Sequence, residues 1–191
     1  MIFGQLLTSS NYDDDQKKTT GGRNGYGAKL ANIFSTKFVL ETGDAKSNKY
    51  YRQVFKNNMQ VTEEPTITVN AKGQDFTCVT FYPDLKKFKM NGLDEDTVSL
   101  FTKRAYDMAG VSDPKVKVYI NNKRIEIKNF SEYCDLYLTN DENKDLPKIV
   151  EQKNERWEIV ASLSDGQFQQ VSFVNSISTI KGGTHVSYIV D

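Results

Sequence analysis

The residues best suited to chemistry lie near the start of the chain, in Thr20-Gly21-Gly22-Arg23-Asn24-Gly25-Tyr26-Gly27-Ala28-Lys29-Leu30. Four glycines fall within seven residues, and a lysine in the helix-like run Ala28 to Phe34 follows them. Glycine amides can face an anion with no Cβ in the way, and a helix N-terminus offers further unpaired N–H groups. The chemistry this arrangement suits is the holding of phosphate. A mobile surface loop that ends in a helix cap is the alternative, because glycine is also an ordinary turn residue.

Two common glycine motifs do not fit. Gly22 and Gly27 have the spacing of a P-loop, but Ala28-Lys29-Leu30 stands where Lys followed by Ser or Thr is needed. A dinucleotide fingerprint requires a glycine where Leu30 stands, and a hydrophobic strand where the chain has Asp13-Asp14-Asp15-Gln16-Lys17-Lys18. The Asp13 to Asp15 run is not expected to bind metal, since three consecutive carboxylates cannot all face one ion; it is expected to be solvated. His185 is the only histidine. No Ser or Cys nucleophile pattern accompanies it, so a structural hydrogen bond is expected there rather than general-base work. Cys78 and Cys134 lack metal spacing and form no disulfide framework; both are expected to be buried thiols in a reducing compartment.

The elements that must position these residues read as α+β. With 191 residues, 38% of them hydrophobic and 12% aromatic, the chain can bury the core of one domain, or of one domain and part of another. Asp94 is predicted to cap a helix over Glu95 to Ala109 that Gly110 closes. Strands are predicted over Phe38 to Glu41, Tyr50 to Phe55, Thr66 to Val69 and Phe76 to Tyr82, from their β-branched and aromatic content. Val116 to Ile120 and Arg124 to Ile127 flank Asn121-Asn122, a pair that tolerates positive φ and suits a hairpin turn. Phe130 to Leu138 reads as a short helix and Thr139 to Lys148 as a polar, exposed connection. Trp157 to Leu163 and Phe168 to Val174 surround Asp165-Gly166, a second hairpin signal, and Thr184 to Val190 alternates as a strand does. The whole suggests a mostly antiparallel sheet with helices on one face.

Charge excludes a simple polycation. Twenty-five basic residues balance twenty-five acidic ones, so any contact with DNA must come from a local patch. No apolar run approaches the roughly 20 residues that span a bilayer, and the N-terminus has no signal-type segment. A soluble globular protein without a membrane partner is expected.

The flanks of the glycine loop add a resemblance. Ile2-Phe3-Gly4-Gln5-Leu6-Leu7-Thr8-Ser9-Ser10-Asn11-Tyr12, the loop itself and Asn32-Ile33-Phe34-Ser35 closely resemble the ATP-lid region of eukaryotic type II DNA topoisomerases, members of the GHKL ATPase superfamily. Phe76-Thr77-Cys78-Val79-Thr80-Phe81, Arg104-Ala105-Tyr106-Asp107 and Phe168-Gln169-Gln170-Val171-Ser172-Phe173-Val174-Asn175-Ser176 continue it in order, over nearly the whole chain. Gly182-Gly183-Thr184-His185 resembles the corresponding segment of bacterial gyrase and departs from eukaryotic relatives, which more often carry a basic residue at the position of Thr184. The resemblance implies part of a GHKL (Bergerat) ATPase α/β sandwich over residues 1–127, followed over residues 128–191 by the start of a transducer domain with a ribosomal-protein-S5-like fold. A purely compositional boundary would fall near Asp141 instead.

By the same resemblance, Ser9, Ser10 and Asn11 contact nucleotide, and Gly22, Arg23, Asn24, Gly25, Tyr26, Gly27, Ala28 and Lys29 form the lid over its phosphates. The implied ligands are ATP and Mg2+, and the implied partners are double-stranded DNA and a second copy in a homodimer, in the nucleus. The family's general-base glutamate, its magnesium-binding asparagine and its γ-phosphate lysine match no segment of this chain. No catalytic or metal-binding residue is therefore expected within it, and the segment alone is expected to be inactive. A truncated, non-enzymatic derivative and another GHKL ATPase of the MutL kind remain the alternatives.

Overall fold

The structure is a computed structural model that describes residues 1–13, 15, 21–138, 146–154 and 156–191. The central Asp14 of the acidic run, Thr20 before the glycines, and most of the polar connection at residues 139–145 lie outside the described residues. The chain divides into two compact units, one built on Gly22–Leu93 with the N-terminal residues, the other on Asp94–Asp191.

The first unit is a helix on an antiparallel sheet. Helix α1 (Gly27–Ile33) leads directly into β1 (Ser35–Asp44), which pairs with β2 (Lys49–Lys56) from Lys37↔Lys56 to Asp44↔Lys49. The turn between them is closed by Asp44, whose carboxylate accepts from the Ser47 hydroxyl at 2.5 Å and the Lys46 amide at 3.0 Å. β3 (Val61–Thr62) and β4 (Thr66–Val69) share the far edge of β2, while β5 (Phe76–Pro83) pairs with the other side of β1. Phe38 faces Phe55 and Val39 faces Val54 across the β1–β2 ladder, and these four are the buried apolar residues of the unit. Such opposed pairs are the unit of sheet stabilisation. The Phe3 ring packs 5.9 Å from that of Phe38, which brings the N-terminal segment onto the core.

Cys78 is exposed, contrary to expectation. It sits on β5, an edge strand whose residues are open on both faces, so the apolar look of Phe76 to Tyr82 did not translate into burial.

In the second unit, Asp94 accepts from the Thr97 amide at 2.8 Å and starts α2 (Glu95–Val111). Gly110 does not end this helix. It lies inside the last turn because Tyr133 packs against it: a Cβ there would stand 2.5 Å from the Tyr133 ring. β6 (Tyr119–Ile120) and β7 (Lys123–Arg124) form the hairpin predicted at Asn121-Asn122, whose φ values are 48° and 63°. Helix α3 (Phe130–Leu138) follows, with Asn129 accepting from the Glu132 amide at 2.8 Å and Glu132 accepting from the Lys128 amide at 3.0 Å, a reciprocal cap.

Two expectations fail beyond α3. β9 (Trp157–Ser162) pairs backwards with β8 (Lys148–Asn154), not forwards across Asp165-Gly166. Val150↔Val160 and Ile149↔Ala161 give the upstream partner matched side chains, and an Asx turn, in which Asn154 accepts from the Arg156 amide at 2.8 Å, closes it. Phe173 and Val174 instead form β10, paired with β11 (Ile177–Ser178). Thr184–Val190 is helix α4 rather than a strand, started by Gly183, whose carbonyl accepts from the Val186 and Ser187 amides at 2.9 and 3.2 Å. No helix among the described residues is long and apolar enough to cross a membrane.

Candidate functional site

The sequence-predicted residues meet where the N-terminal segment passes the glycine loop. The Ser9 hydroxyl accepts from the Asn11 amide at 3.1 Å, which folds the segment back on itself. The Asn11 side-chain amide then donates to the Gly22 carbonyl at 2.9 Å, and the Tyr12 hydroxyl donates to the Asn24 carbonyl at 3.3 Å. The two halves of the candidate site are thus joined by side chain to backbone bonds. Lys29 is only 2% exposed, and its ammonium lies 3.4 Å from the Thr8 carbonyl. Gly25, at φ +68°, fills the space between: a Cβ there would stand 3.1 Å from Lys29 Nζ, 3.2 Å from the Thr8 carbonyl and 3.3 Å from Ser9 Cβ. Both the left-handed backbone and the close approach require glycine.

This arrangement suits an anion. Among the described residues the Lys29 ammonium has one long bond, to a carbonyl, which offsets little of the cost of taking it out of water, and an anionic ligand would supply counter-charge. Gly22 (φ +86°) and Gly27 have open space where a Cβ would stand, so their backbone is accessible to a ligand. Ser10 is exposed in the N-terminal segment, Arg23, Asn24 and Tyr26 are exposed on the loop, and in the first turn of α1 Gly27 is exposed and Ala28 half-buried. Asp13 and Asp15 are exposed as expected, with Asp13 accepting from the Asp15 amide at 3.0 Å. Among the described residues no group of three or more His, Cys, Asp or Glu side chains could hold a metal ion.

Thr8, Tyr12 and Asn32 belong to the site and escaped the sequence reading. Asn32 is fully buried, and its amide donates to the Phe3 carbonyl at 2.9 Å. Lys29 and Asn32 lie three apart on one face of α1, and both tie that helix to the segment before Ser9. That spacing was the available signal.

A second polar cluster, also unforeseen, lies between α2 and α3. Asp107, 3% exposed, accepts from Lys103 Nζ at 2.7 and 2.8 Å, from Arg104 at 3.3 Å and from the Tyr133 hydroxyl at 2.6 Å. Burial above all, and then the bond to Asp107, pushes the Tyr133 hydroxyl far above the usual tyrosine range. His185 is held structurally, its Nε2 being 3.1 Å from the Thr179 hydroxyl, which in turn lies 2.6 Å from that of Ser172.

The chain is 60% identical to DNA topoisomerase 2 of Arabidopsis thaliana over 99% of its own length, and 56% identical to DNA topoisomerase 2-beta of Gallus gallus over all of it. Over its whole length the chain is homologous to eukaryotic type II DNA topoisomerases. It spans 13% and 12% of the length of those two relatives. Among solved structures, the ATPase region of Saccharomyces cerevisiae topoisomerase II matches all of the chain with a TM-score of 0.91 at 52% identity, the chain covering 50% of that structure. The DNA gyrase B family matches residues 129–191. The α+β class and the partial GHKL fold followed by the start of a transducer, expected from the topoisomerase motifs, are those of that ATPase region.

Proposed function

We propose that this chain is part of the ATP-operated gate of a type II DNA topoisomerase, an isomerase that changes DNA topology by ATP-dependent double-strand breakage, duplex passage and rejoining. The observation that carries the reading is the buried Lys29, held beside Thr8 and Gly25 in a chain that matches the ATPase region of a topoisomerase II throughout. In this reading Ser9, Ser10 and Asn11 hydrogen-bond the nucleotide through small polar side chains. Gly22 to Lys29 close over its phosphates, the glycines through backbone N–H groups, Lys29 by a charge-assisted bond. The lid is then the two-state element through which phosphate binding drives a conformational change.

The parent protein binds ATP with Mg2+, the metal's ligands lying outside the described residues, acts on double-stranded DNA, works as a homodimer and resides in the nucleus. The ATPase part ends after Ile127 and the transducer begins at Lys128; the gyrase B match that starts at residue 129 supports this boundary. α2 and the β6–β7 hairpin nonetheless belong to the same compact unit as α3, so the boundary is one of ancestry rather than of packing.

The test is the longest product of the gene. It is expected to hydrolyse ATP and relax supercoiled DNA with magnesium, and to lose both on Lys29→Ala. Absence of both activities in the unsubstituted protein would overturn the reading. The 191-residue chain alone is expected to bind ATP weakly or not at all, and tight magnesium-dependent binding by calorimetry would contradict that part.

A further inference from the structure

We infer that the solvent face of the β6–β7 hairpin, with its two flanks, binds the phosphate backbone of double-stranded DNA. The inference rests on the proposed function for its choice of partner and assigns that partner a surface on this chain. The chain as a whole is neutral, yet residues 115–128 hold Lys115, Lys117, Lys123, Arg124 and Lys128 against Glu126 alone. The excess of positive charge in this one stretch is balanced by negative charge spread over the rest of the sequence.

The fold puts most of that charge on one side. Tyr119 pairs with Arg124, Ile120 with Lys123, and the Ile125 amide donates to the Val118 carbonyl at 3.0 Å. Alternation across this ladder turns Val118, Ile120, Ile125 and Ile127 to the inner side, where Ile125 is 5% exposed and the others half-buried. Lys117, Tyr119, Arg124 and Glu126 share the outer side, with Tyr119 57% exposed. Lys123, paired with Ile120 at the turn, falls on the inner side by the same alternation but is exposed, and Lys115 and Lys128 stand exposed at the two ends. Arg124 Nε is 3.9 Å from the Glu126 carboxylate, a long pair between exposed side chains that solvent screens. Asp113, just upstream, is engaged with the Lys115 backbone amide at 2.8 Å. Among the described residues no carboxylate forms an ion pair with Lys115, Lys117, Lys123 or Lys128.

These cations are carried by a hairpin with a left-handed Asn-Asn turn, a defined element rather than a loose tail. Residues two apart on a strand advance about 6.5 Å. Lys117 and Tyr119 therefore stand about one such step apart, with Lys115 in the turn just before them, and a duplex, carrying one charge about every 1.7 Å of its axis, can meet them at several points. Lysine and tyrosine are donors suited to phosphate oxygens. An acidic protein surface fits less well, because lysine is depleted from the cores of protein interfaces and the face offers one aromatic anchor only.

The 191-residue chain would be titrated with a fluorescein-labelled random-sequence duplex across a range of salt concentrations. Binding is expected to weaken linearly in log Kd against log salt, and the variant K115Q/K117Q/K123Q/K128Q to lose about 0.9 of slope for each phosphate contact removed. Replacing the same four lysines by arginine is expected to keep the slope, as is K86Q/K87Q/K89Q, which neutralises another exposed basic loop. Unchanged affinity and slope in the hairpin glutamine variant would overturn the inference, and so would displacement of the duplex by poly-aspartate of equal charge at the same concentration, which would assign the face to an acidic protein. Lys29→Ala distinguishes the two proposals: it bears on ATP hydrolysis by the longest gene product and is expected to leave the duplex slope of the chain untouched.

Discussion

The Tyr133 hydroxyl donates to the Asp107 carboxylate at 2.6 Å, joining α3 to α2 at a point where neither residue is more than 3% exposed. Tyr133→Phe removes the donor and leaves Asp107 to Lys103 and Arg104. A loss of about 1.5–3 kcal/mol of stability is expected, as for hydrogen bonds to charged groups, read from urea unfolding. Asp107→Ala should cost at least as much, since it also strips both cations of their partner. The upward shift of the Tyr133 hydroxyl, caused first by burial, has a sign. The folded state keeps this proton while an unfolded tyrosine releases its own near pH 10, so stability falls as pH rises above that value. Tyrosinate absorbance of the folded chain up to pH 11 should fall short of its 10 tyrosines by at least this one.

Gly110→Ala tests packing against propensity. In a helix interior alanine is favoured by about 1 kcal/mol over glycine. Here its Cβ would meet the Tyr133 ring at 2.5 Å, so overpacking is expected to win and the variant to be destabilised by about 1–3 kcal/mol in thermal or urea unfolding. A more stable variant would mean that α3 can yield.

Gly25→Ala bears on the lid. Its φ of +68° is disfavoured by about 1–2 kcal/mol for any residue with a Cβ, and the new methyl would crowd Lys29 Nζ and the Thr8 carbonyl at 3.1 and 3.2 Å. If the proposed function holds, nucleotide affinity of the longest gene product should fall about tenfold, since each 1.4 kcal/mol is a factor of ten. Gly22→Ala shares the positive φ but meets nothing within 4 Å, and is expected to have the smaller effect. Filter binding of labelled nucleotide would rank the two.

The cysteines should differ in reactivity. Burial pushes the Cys134 thiol up to about 11, against a slight downward pull from Lys148. Cys78 is exposed on its edge strand. At pH 8 one thiol is expected to react promptly with Ellman's reagent and the second only on unfolding; Cys78→Ser should abolish the fast phase. Because Cys134 holds its proton in the fold, stability is also expected to decline between pH 9, where the unfolded thiol ionises, and about 11.

Local chemistry was legible wherever it acts over a few residues. Asp94 capping α2, Asn121-Asn122 turning the β6–β7 hairpin and the left-handed glycines of the Gly22 to Lys29 loop all depend on neighbours within one turn of chain. The order of the topoisomerase-like motifs likewise sits in the sequence itself, and relatives match it over the whole chain.

What the sequence could not decide were choices between distant partners. Nothing local tells β9 to take Lys148–Asn154 rather than Phe168 to Val174, since both can supply alternating side chains; the pairing follows from Val150↔Val160 and its neighbours. Thr184–Val190 has a strand's alternation and forms a helix because Gly183 supplies a start. Lys29 could be picked out as a candidate phosphate ligand by its spacing, but its burial beside Thr8, and the full burial of Asn32 against Phe3, exist only once the N-terminal segment lies across α1. Sequence by itself set the turns, caps, glycines and family of this protein. Tertiary structure decided which strands pair, which polar groups are buried and which charges reach solvent, because those depend on free energies summed over contacts between residues far apart in the chain.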